Sequence, residues 1–572
     1  MNLILKTVNT VALIIVLGNF STHAQRLKID LGVGYGIGLT STYLTTGSSE
    51  TNLDTGVQTV DLISEGFNLN QGLTGHLKFN YMLNQEIFLV AGARYQNGRR
   101  EYAPYSFGYT GNISLIQELK RADEFEQLDV QIGLGIEKKL SDRWSVYFSH
   151  GFTFFVYGKF TSNRSTTQSG NSGPNFSREI ETVYRPQFTF GAYGDVGVVY
   201  KLSDHFNVFF NATVQSKNWS TKNSQITRFT VDGVDQLPTY SVSQLETVYS
   251  STVESSSSTP VDPDKPSASN QTWMPNSGVE AVLGVRVSFG DEQKEGKKLK
   301  EREAGLYLVG TFGYGMPMSE LTRTSTVLDV NSVTMESTSS SESKLYSYGK
   351  GFSGQLLLGY RIGHGFSAEI GGVFNQSESS ASSLVTYSTN GNVNTETAVD
   401  YTYSAWMIRN TYGLKLESQF KRINAFVRTG LSLGFAGLTQ SSEETWTGLF
   451  PNPVTEVTQR KYEYSGNVSL GAYIGLGSSV RLSQRFDLVA EAVTYIQNWS
   501  PRKREFVVHT VDGVDQLSGA TTYSTEVEYV SEINETSADL NPDSPRQALR
   551  IAEPFSSFMI TVGIRFNFIR KK

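Results

Sequence analysis

The sequence predicts an all-β protein built as two tandem antiparallel up-and-down barrels of eight strands each. Three observations lead there. The chain of 572 residues repeats itself at about half its length. Each copy carries stretches in which apolar and polar residues alternate, the period of a strand with one apolar face. The connections between those stretches are short and long by turns, as in a barrel whose strands cross a membrane.

The repeat is read from identities. The octapeptide TVDGVDQL at Thr230–Leu237 returns at Thr510–Leu517. Asn218-Trp219-Ser220 matches Asn498-Trp499-Ser500, Gly191-Ala192-Tyr193 matches Gly471-Ala472-Tyr473, and Gly34-Tyr35-Gly36 matches Gly313-Tyr314-Gly315. Self-similarity at such a period marks a duplicated domain and not a short-repeat solenoid.

Residues 1–24 read as a cleaved secretory signal. Lys6 is the positive region, Val11–Phe20 the apolar core, and Thr22-His23-Ala24 the small-residue cleavage pattern. That core is too short to span a bilayer, and no later stretch of about 18 apolar residues offers a helical span. Cysteine is absent, which excludes disulfides and a lipoprotein anchor. A net charge of -6 without a basic cluster argues against nucleic acid as a partner. Charged residues are 18% against 12% aromatic, the balance of an all-β chain with much exposed apolar surface.

Strands are expected near 27–39, 72–83, 86–98, 127–139, 143–158, 187–201, 205–217 and 278–289. The second copy repeats them near 305–316, 351–362, 366–375, 404–418, 422–436, 466–481, 485–497 and 556–568. In 278–289, Val279, Ala281, Leu283, Val285, Val287 and Phe289 alternate with Glu280, Val282, Gly284, Arg286 and Ser288. Val285 is expected to face lipid; Glu280 and Arg286 are expected to face the interior. Asn84-Gln85, Ser141-Asp142 and Ser203-Asp204 mark tight turns, whereas the segments near 40–71, 99–126, 159–186 and 218–277 read as long loops rich in Ser, Thr, Asn and Gly.

A soluble eight-stranded barrel also alternates, with its faces reversed. Three features favour the membrane version. The polar face is rich in small residues and mixes Asp129, Asp195 and Glu280 with Lys78 and Arg286. Trp144, Trp219 and Trp499 fall near strand ends, where an interfacial girdle would sit. The chain closes on the aromatics Phe566 and Phe568.

This combination of eight strands, long outer loops and an aromatic closing strand resembles the small outer-membrane barrels of the outer membrane protein A and X type. The resemblance covers each copy over its full length and rests on spacing, so it implies fold strongly and function weakly. It implies an integral protein of the cell outer membrane, in contact with membrane lipid and lipopolysaccharide. It also implies insertion by the barrel assembly machinery, which would read the final strand ending at Phe568. The expected organisation is a signal peptide at 1–24, a first barrel at 25–290, a charged periplasmic linker at 291–304 and a second barrel at 305–572. Ten of the fourteen linker residues Asp291–Ala304 are charged, five of each sign. A turn within one barrel needs only a few residues, so two barrels are preferred to the alternative of a single sixteen-stranded one. Both termini and the linker are expected on the periplasmic side and the long loops outside.

Motifs that could carry chemistry are few. Gly32-Val33-Gly34-Tyr35-Gly36-Ile37-Gly38 puts glycine on one side of a strand, whereas a dinucleotide fingerprint needs a helix to follow. Relief of crowding in a narrow barrel accounts for it better. Nucleophilic hydrolysis would want a His beside a Ser. In the other copy His76 faces Gln355, His150 faces Thr429, His205 faces Arg485 and His509 faces Phe229, while His364 falls in a tight turn. His76 reads as a satisfied interior histidine. Asp262-Pro263-Asp264 and Asn541-Pro542-Asp543 supply too few carboxylates for calcium, which takes about six to eight oxygens, and read as turn corners.

Asp232-Gly233 and Asp512-Gly513 are two-residue hairpin signals. They make the octapeptide the tip of a hairpin in which the seventh and eighth strands extend past the membrane. No catalytic residue, cofactor or metal ligand is assigned. The expected function is non-enzymatic, a structural or interaction barrel displaying Ser/Thr-rich loops to an extracellular partner that the sequence does not specify. The alternatives are a porin or narrow channel for small solutes and, with no residues to support it, a lipid-modifying outer-membrane enzyme.

Overall fold

The computed structural model describes residues 27–568 apart from 40–41, 111–113, 172, 258–260, 272, 290–303, 319–320, 332–333, 335, 364, 390–391, 421–422, 449–452 and 538–539. The expected signal peptide, the linker up to Glu303 and His364 therefore lie outside the described residues.

The first wall consists of β1 (Leu27–Gly38), β2 (Gly72–Met82), β3 (Ile87–Glu101), β4 (Leu115–Lys139), β5 (Trp144–Gly170), β6 (Phe190–Lys201), β7 (Phe206–Val231) and β8 (Gly278–Phe289). Each strand pairs antiparallel with the next. The ring closes when β8 returns to β1, in the register Leu27↔Phe289 through Gly38↔Gly278. The second wall consists of β9 (Gly305–Pro317), β10 (Gly351–Gly363), β11 (Phe366–Thr389), β12 (Asn392–Phe420), β13 (Ile423–Gly448), β14 (Ser469–Arg481), β15 (Phe486–Ile496) and β16 (Ser557–Asn567). It closes by β16 on β9, from Tyr307↔Asn567 to Pro317↔Ser557. A single sixteen-stranded barrel would pair β8 with β9; the structure has two barrels.

At one end of the walls the turns share one chemistry. Leu83, Leu140, Leu202 and Leu482 donate their N–H groups to the carbonyls of Ile87, Trp144, Phe206 and Phe486 at 2.8, 2.8, 3.0 and 3.0 Å. Asn84 Oδ1 accepts the Ile87 N–H at 2.7 Å, and the Ser203 and Ser483 hydroxyls accept those of Phe206 and Phe486 at 3.1 Å. Short side-chain acceptors are therefore needed at these positions.

The alternation maps onto the walls as expected. In β8, Leu283 and Val285 are 58% and 47% exposed, whereas Glu280 and Arg286 are buried. In β2, Leu73 is exposed while Thr74, His76, Lys78 and Asn80 are buried. An apolar exterior around a charged interior inverts the soluble arrangement and is that of a transmembrane barrel.

Three expectations are corrected. The strands run further at the long-loop end than the alternation indicates: β4 starts at Leu115, β5 reaches Gly170, β11 reaches Thr389 and β12 starts at Asn392. Beyond the apolar band both faces of these strands carry mostly polar residues. The period-two signal fades there while the hydrogen-bond ladder continues. Second, β8 does not rise with β7. Trp273–Pro275, just ahead of β8, follows β7 only over Asn218–Ser220; the outer half of β7 pairs instead with the strands Phe176–Pro186 and Glu246–Ser250, and β8 itself begins at Gly278. The octapeptide turn leads back for just two paired residues, Val234-Asp235. Third, Trp219 and Trp499 are not girdle residues. Both are buried in apolar clusters inside the long-loop end, whereas Trp144 is exposed at the short-turn end and packs on Tyr200 at 4.8 Å between ring centroids.

The barrels pack side by side through equivalent strands. Ile136, Val146 and Phe148 of the first meet Leu416, Val427 and Ile474 of the second. A Cβ on Gly194 would lie 2.0 Å from Ile474 Cδ1, so the glycine is what lets the walls touch. Above them the two halves exchange strands. Gln58–Phe67 pairs with Glu532–Thr536 from Thr59↔Thr536 to Ile63↔Glu532, and Ser337–Tyr346 pairs with Thr252–Ser256 from Thr338↔Ser256 to Glu342↔Thr252. These are one contact made twice, about a pseudo-two-fold axis.

In the cysteine-free chain, Leu62→Cys with Ile533→Cys should form a disulfide on oxidation, because antiparallel partners hold their Cβ atoms about 4.5–5.5 Å apart. The oxidised double variant is expected to shift on a denaturing gel without reductant, with neither single variant shifting. No shift in the double variant would show that the halves do not exchange these strands.

Candidate functional site

Among the described residues, the chemistry-bearing side chains that the walls enclose concentrate in the two lumens. In the first, inward positions carry Lys28, Lys78, Arg94, Lys217 and Arg286 against Asp30, Asp129, Glu137, Asp195 and Glu280, and all ten are paired. Pairing is required, because an uncompensated buried charge costs several kcal/mol. Near the short-turn end Arg286 meets Asp30 at 2.6 Å and Glu137 at 2.9 Å, and Lys28 meets Glu137 at 3.0 Å. At mid-height Lys78 Nζ lies 2.8 Å from Asp195, which also accepts the hydroxyls of Ser149 and Thr213 at 2.7 and 2.6 Å. Toward the loops Arg94 joins Asp129, at 2.8 Å, to Glu280, while Lys217 bonds Asp129 as well.

The second lumen keeps the pairing at the short-turn end, where Arg565 meets Glu417 at 2.9 Å and Asp487 at 2.7 Å. Above it Lys415 meets Glu417 at 3.1 Å, and Arg428 binds Glu491 with Glu369 at 3.7 Å. Higher still the acids end and Arg409 stands among neutral groups. Each lumen is then covered at its long-loop end by apolar side chains. Phe67, Leu69, Tyr102, Phe125, Phe155, Phe160 and Trp219 cover the first; Tyr348, Met407, Leu438, Tyr464, Trp499 and Phe555 belong to the cover of the second.

The four described histidines stand apart from one another. His76 Nε2 lies 3.0 Å from Glu280 Oε2 and 3.3 Å from Thr74 Oγ1 inside the first lumen. His150 Nε2 meets Thr494 Oγ1 at 3.4 Å between the barrels. His205 Nδ1 sits 3.2 Å from the Ser288 carbonyl, and His509 stacks on Phe506. The Asx-Pro segments are corners: Asp262 accepts the Asp264 N–H on Oδ1 at 3.0 Å and binds Lys265 through Oδ2 at 2.8 Å, and Asn541 Oδ1 accepts the Asp543 N–H at 3.0 Å.

The octapeptide is explained by its backbone. Asp232 and Asp512 have φ of 51° and 49°, followed by Gly233 and Gly513 at 79° and 78°. Two successive left-handed residues make the tight turn. Asp232 Oδ1 accepts the Ser177 N–H at 2.7 Å and Asp512 Oδ1 that of Val457 at 2.8 Å. Asp235 and Asp515 accept the N–H groups of Leu237 and Leu517 at 3.0 and 2.9 Å. The charged groups of the second lumen were the part that sequence reasoning passed over, although they too fall on alternate positions of β11 to β15.

Fold and lumens together define the class: a pair of closed transmembrane β-barrels with charged, side-chain-filled interiors. No protein-family model matches the chain, and no curated protein matches it. Among solved structures, CarO2 of Acinetobacter baumannii is similar at 11% identity and a TM-score of 0.18, over 47% of this chain and 100% of that one. The Pseudomonas putida toluene transporter TodX is similar at 8% identity and 0.16, over 96% and 94%. A Pseudomonas aeruginosa FadL homologue is similar at 9% and 0.18, over 95% and 91%. At such low identities and scores, nothing about this chain's ligand follows from them.

Glu280→Gln leaves Arg94 short of one counter-charge and should destabilise the first barrel by about 3–5 kcal/mol. Val285→Arg, one strand-face away, should cost roughly 2–4 kcal/mol for a charge set in lipid near the bilayer midplane. Urea unfolding from lipid vesicles checks both. A tolerated Arg at 285 would show that the outer face is not lipid-covered.

Proposed function

We propose that this is a non-enzymatic integral protein of the outer membrane, whose two sealed barrels form a rigid base for the β-structure at their long-loop end and serve a structural or interaction role. The observation that carries the reading is the filling of both lumens. Eight strands leave an interior just wide enough for side chains, and here those side chains are cross-linked by ion pairs and covered by aromatic clusters. A solute path would have to break several buried pairs at once. The apolar outer wall supports residence in a bilayer, with lipid and lipopolysaccharide as its surroundings. The closing strand that ends at Phe568 supports insertion by the barrel assembly machinery. Since each barrel has an even number of strands, Leu27, Phe289, Gly305 and Asn567 share the short-turn side. We place that side in the periplasm and the long-loop end, with its unspecified extracellular partner, outside.

Purified protein in planar bilayers should show no steady open conductance. Large, stable current steps would overturn the sealed-barrel reading in favour of a porin or narrow channel. Orientation is checked separately. Val234 is 61% exposed at the octapeptide turn, so Val234→Cys should react with a membrane-impermeant maleimide on intact cells. Asn84→Cys, in a short turn, should react only after the outer membrane is opened. The reverse pattern would invert the placement.

A further inference from the structure

The second lumen holds a charge that no ion pair among the described residues balances. Arg409 is 0% exposed. Its Nε donates to Gln497 Oε1 at 2.9 Å and its Nη2 to the Phe555 carbonyl at 2.8 Å, both neutral acceptors. Its Nη1 has no hydrogen-bond partner among the described residues. The acids of this lumen, Glu369, Glu417, Asp487 and Glu491, pair with Lys415, Arg428 and Arg565, and none forms an ion pair with Arg409. Its guanidinium lies instead over the Tyr495 ring, 5.0 Å from the centroid.

The first barrel handles the same place differently. Arg409 stands in register between Val373 and Gly434, as Asp129 stands between Arg94 and Phe155. In the first lumen Asp129 is held by Arg94 and Lys217, with Glu280 on the far side of Arg94. In the second, Val373 replaces Arg94, Gln497 replaces Lys217, Met559 replaces Glu280, and Arg409 replaces Asp129. Two cations and two acids have become a single cation, so the cluster's formal charge goes from zero to +1, and the Phe155 ring has become Gly434. A buried guanidinium needs an opposite charge or its full set of acceptors. Among the described residues Arg409 has neither.

We propose that the second lumen holds a small monovalent inorganic anion of the halide class at Arg409 Nη1, as a resident counter-ion. One uncompensated positive charge calls for one negative charge. Nη1 offers two N–H donors without a partner among the described residues, and an eight-stranded interior has room only for something small. The proposal does not depend on whether the barrels conduct.

The test uses the full-length folded protein in detergent. Thermal unfolding is compared in sodium chloride, sodium bromide and sodium gluconate at equal ionic strength, at concentrations where general salt effects are small. A ligand bound only to the native state raises the melting temperature with its concentration, so halide should give a higher Tm than gluconate, which is too large to enter. Val373→Glu puts a carboxylate opposite Arg409, a charge-swapped copy of the Arg94–Asp129 pair. It should raise the Tm in gluconate and abolish the halide dependence, and Arg409→Met should abolish the dependence as well. Equal Tm values for the wild type in halide and gluconate would overturn the proposal. So would a halide effect that persists unchanged in Val373→Glu, a readout that stands even where Arg409→Met fails to fold.

Discussion

Everything in this molecule follows from the return of β8 to β1 and of β16 to β9. In a hydrocarbon layer an unpaired backbone N–H or C=O costs several kcal/mol, so a sheet can stand there only when it has no edge. Closure at eight strands fixes the diameter, and the diameter fixes the interior. There is space for side chains but not for bulk water. Alternation then forces every second residue into that narrow space, which explains glycine in β1 and β14 beside arginines elsewhere. Charges placed there lose their hydration and must find one another. The ion-pair columns are a consequence of closure, and the sealed lumens a consequence of the columns.

The same constraint separates what was legible in the sequence from what was not. The walls could be read because each residue's face is fixed by lipid on one side and the lumen on the other; Leu283 and Glu280 differ in every property that alternation detects. Closure into two rings was legible from the aromatic-tipped strand ending each copy and the charged run between them. Above the membrane that contrast disappears. Thr161 to Gly170 and Ser377 to Thr389 lie outside the strands that alternation predicts, yet they are strand, because a hydrogen-bond ladder leaves little hydropathic trace where polar residues occupy both faces. Trp219 and Trp499 misled for a related reason. A Trp at a strand end can turn to the lipid interface or fold over the lumen mouth, and only the neighbouring rings, such as Phe160 and Phe555, decide it.

Of the candidate site, the identity of the inward groups in the first barrel was legible and their partners were not. Glu280 and Arg286 share a strand, but Glu280 bonds Arg94 and His76 while Arg286 bonds Asp30 and Glu137. Some partners stand directly opposite on the neighbouring strand, as Asp30 does to Arg286 and Asp129 to Arg94, and others come from across the ring; both depend on register and tilt, which period two does not report. The pairing between halves was equally hidden. Gln58–Phe67 and Glu532–Thr536 are far apart in the chain and carry no complementary pattern beyond their readiness to form strands.

The two barrels also show which constraints tolerate rewriting. The lumen has been rewritten almost throughout: Lys78 corresponds to Leu357, Asp195 to Gly475 and Gly135 to Lys415, and only the arginine–glutamate pairs at the short-turn end, Arg286–Glu137 and Arg565–Glu417, recur. A packed interior asks for total volume and balanced charge, and many side-chain sets meet that demand. The octapeptide has not changed by a letter. Its demand is local and admits few answers, since Asp232 must hold a positive φ and accept a backbone N–H with the same side chain, and glycine must follow. Identity between the halves therefore marks the places where backbone geometry leaves few choices. Divergence in the lumen marks the places where the physics is collective, and it is there that the second barrel could acquire an unbalanced arginine without losing its fold.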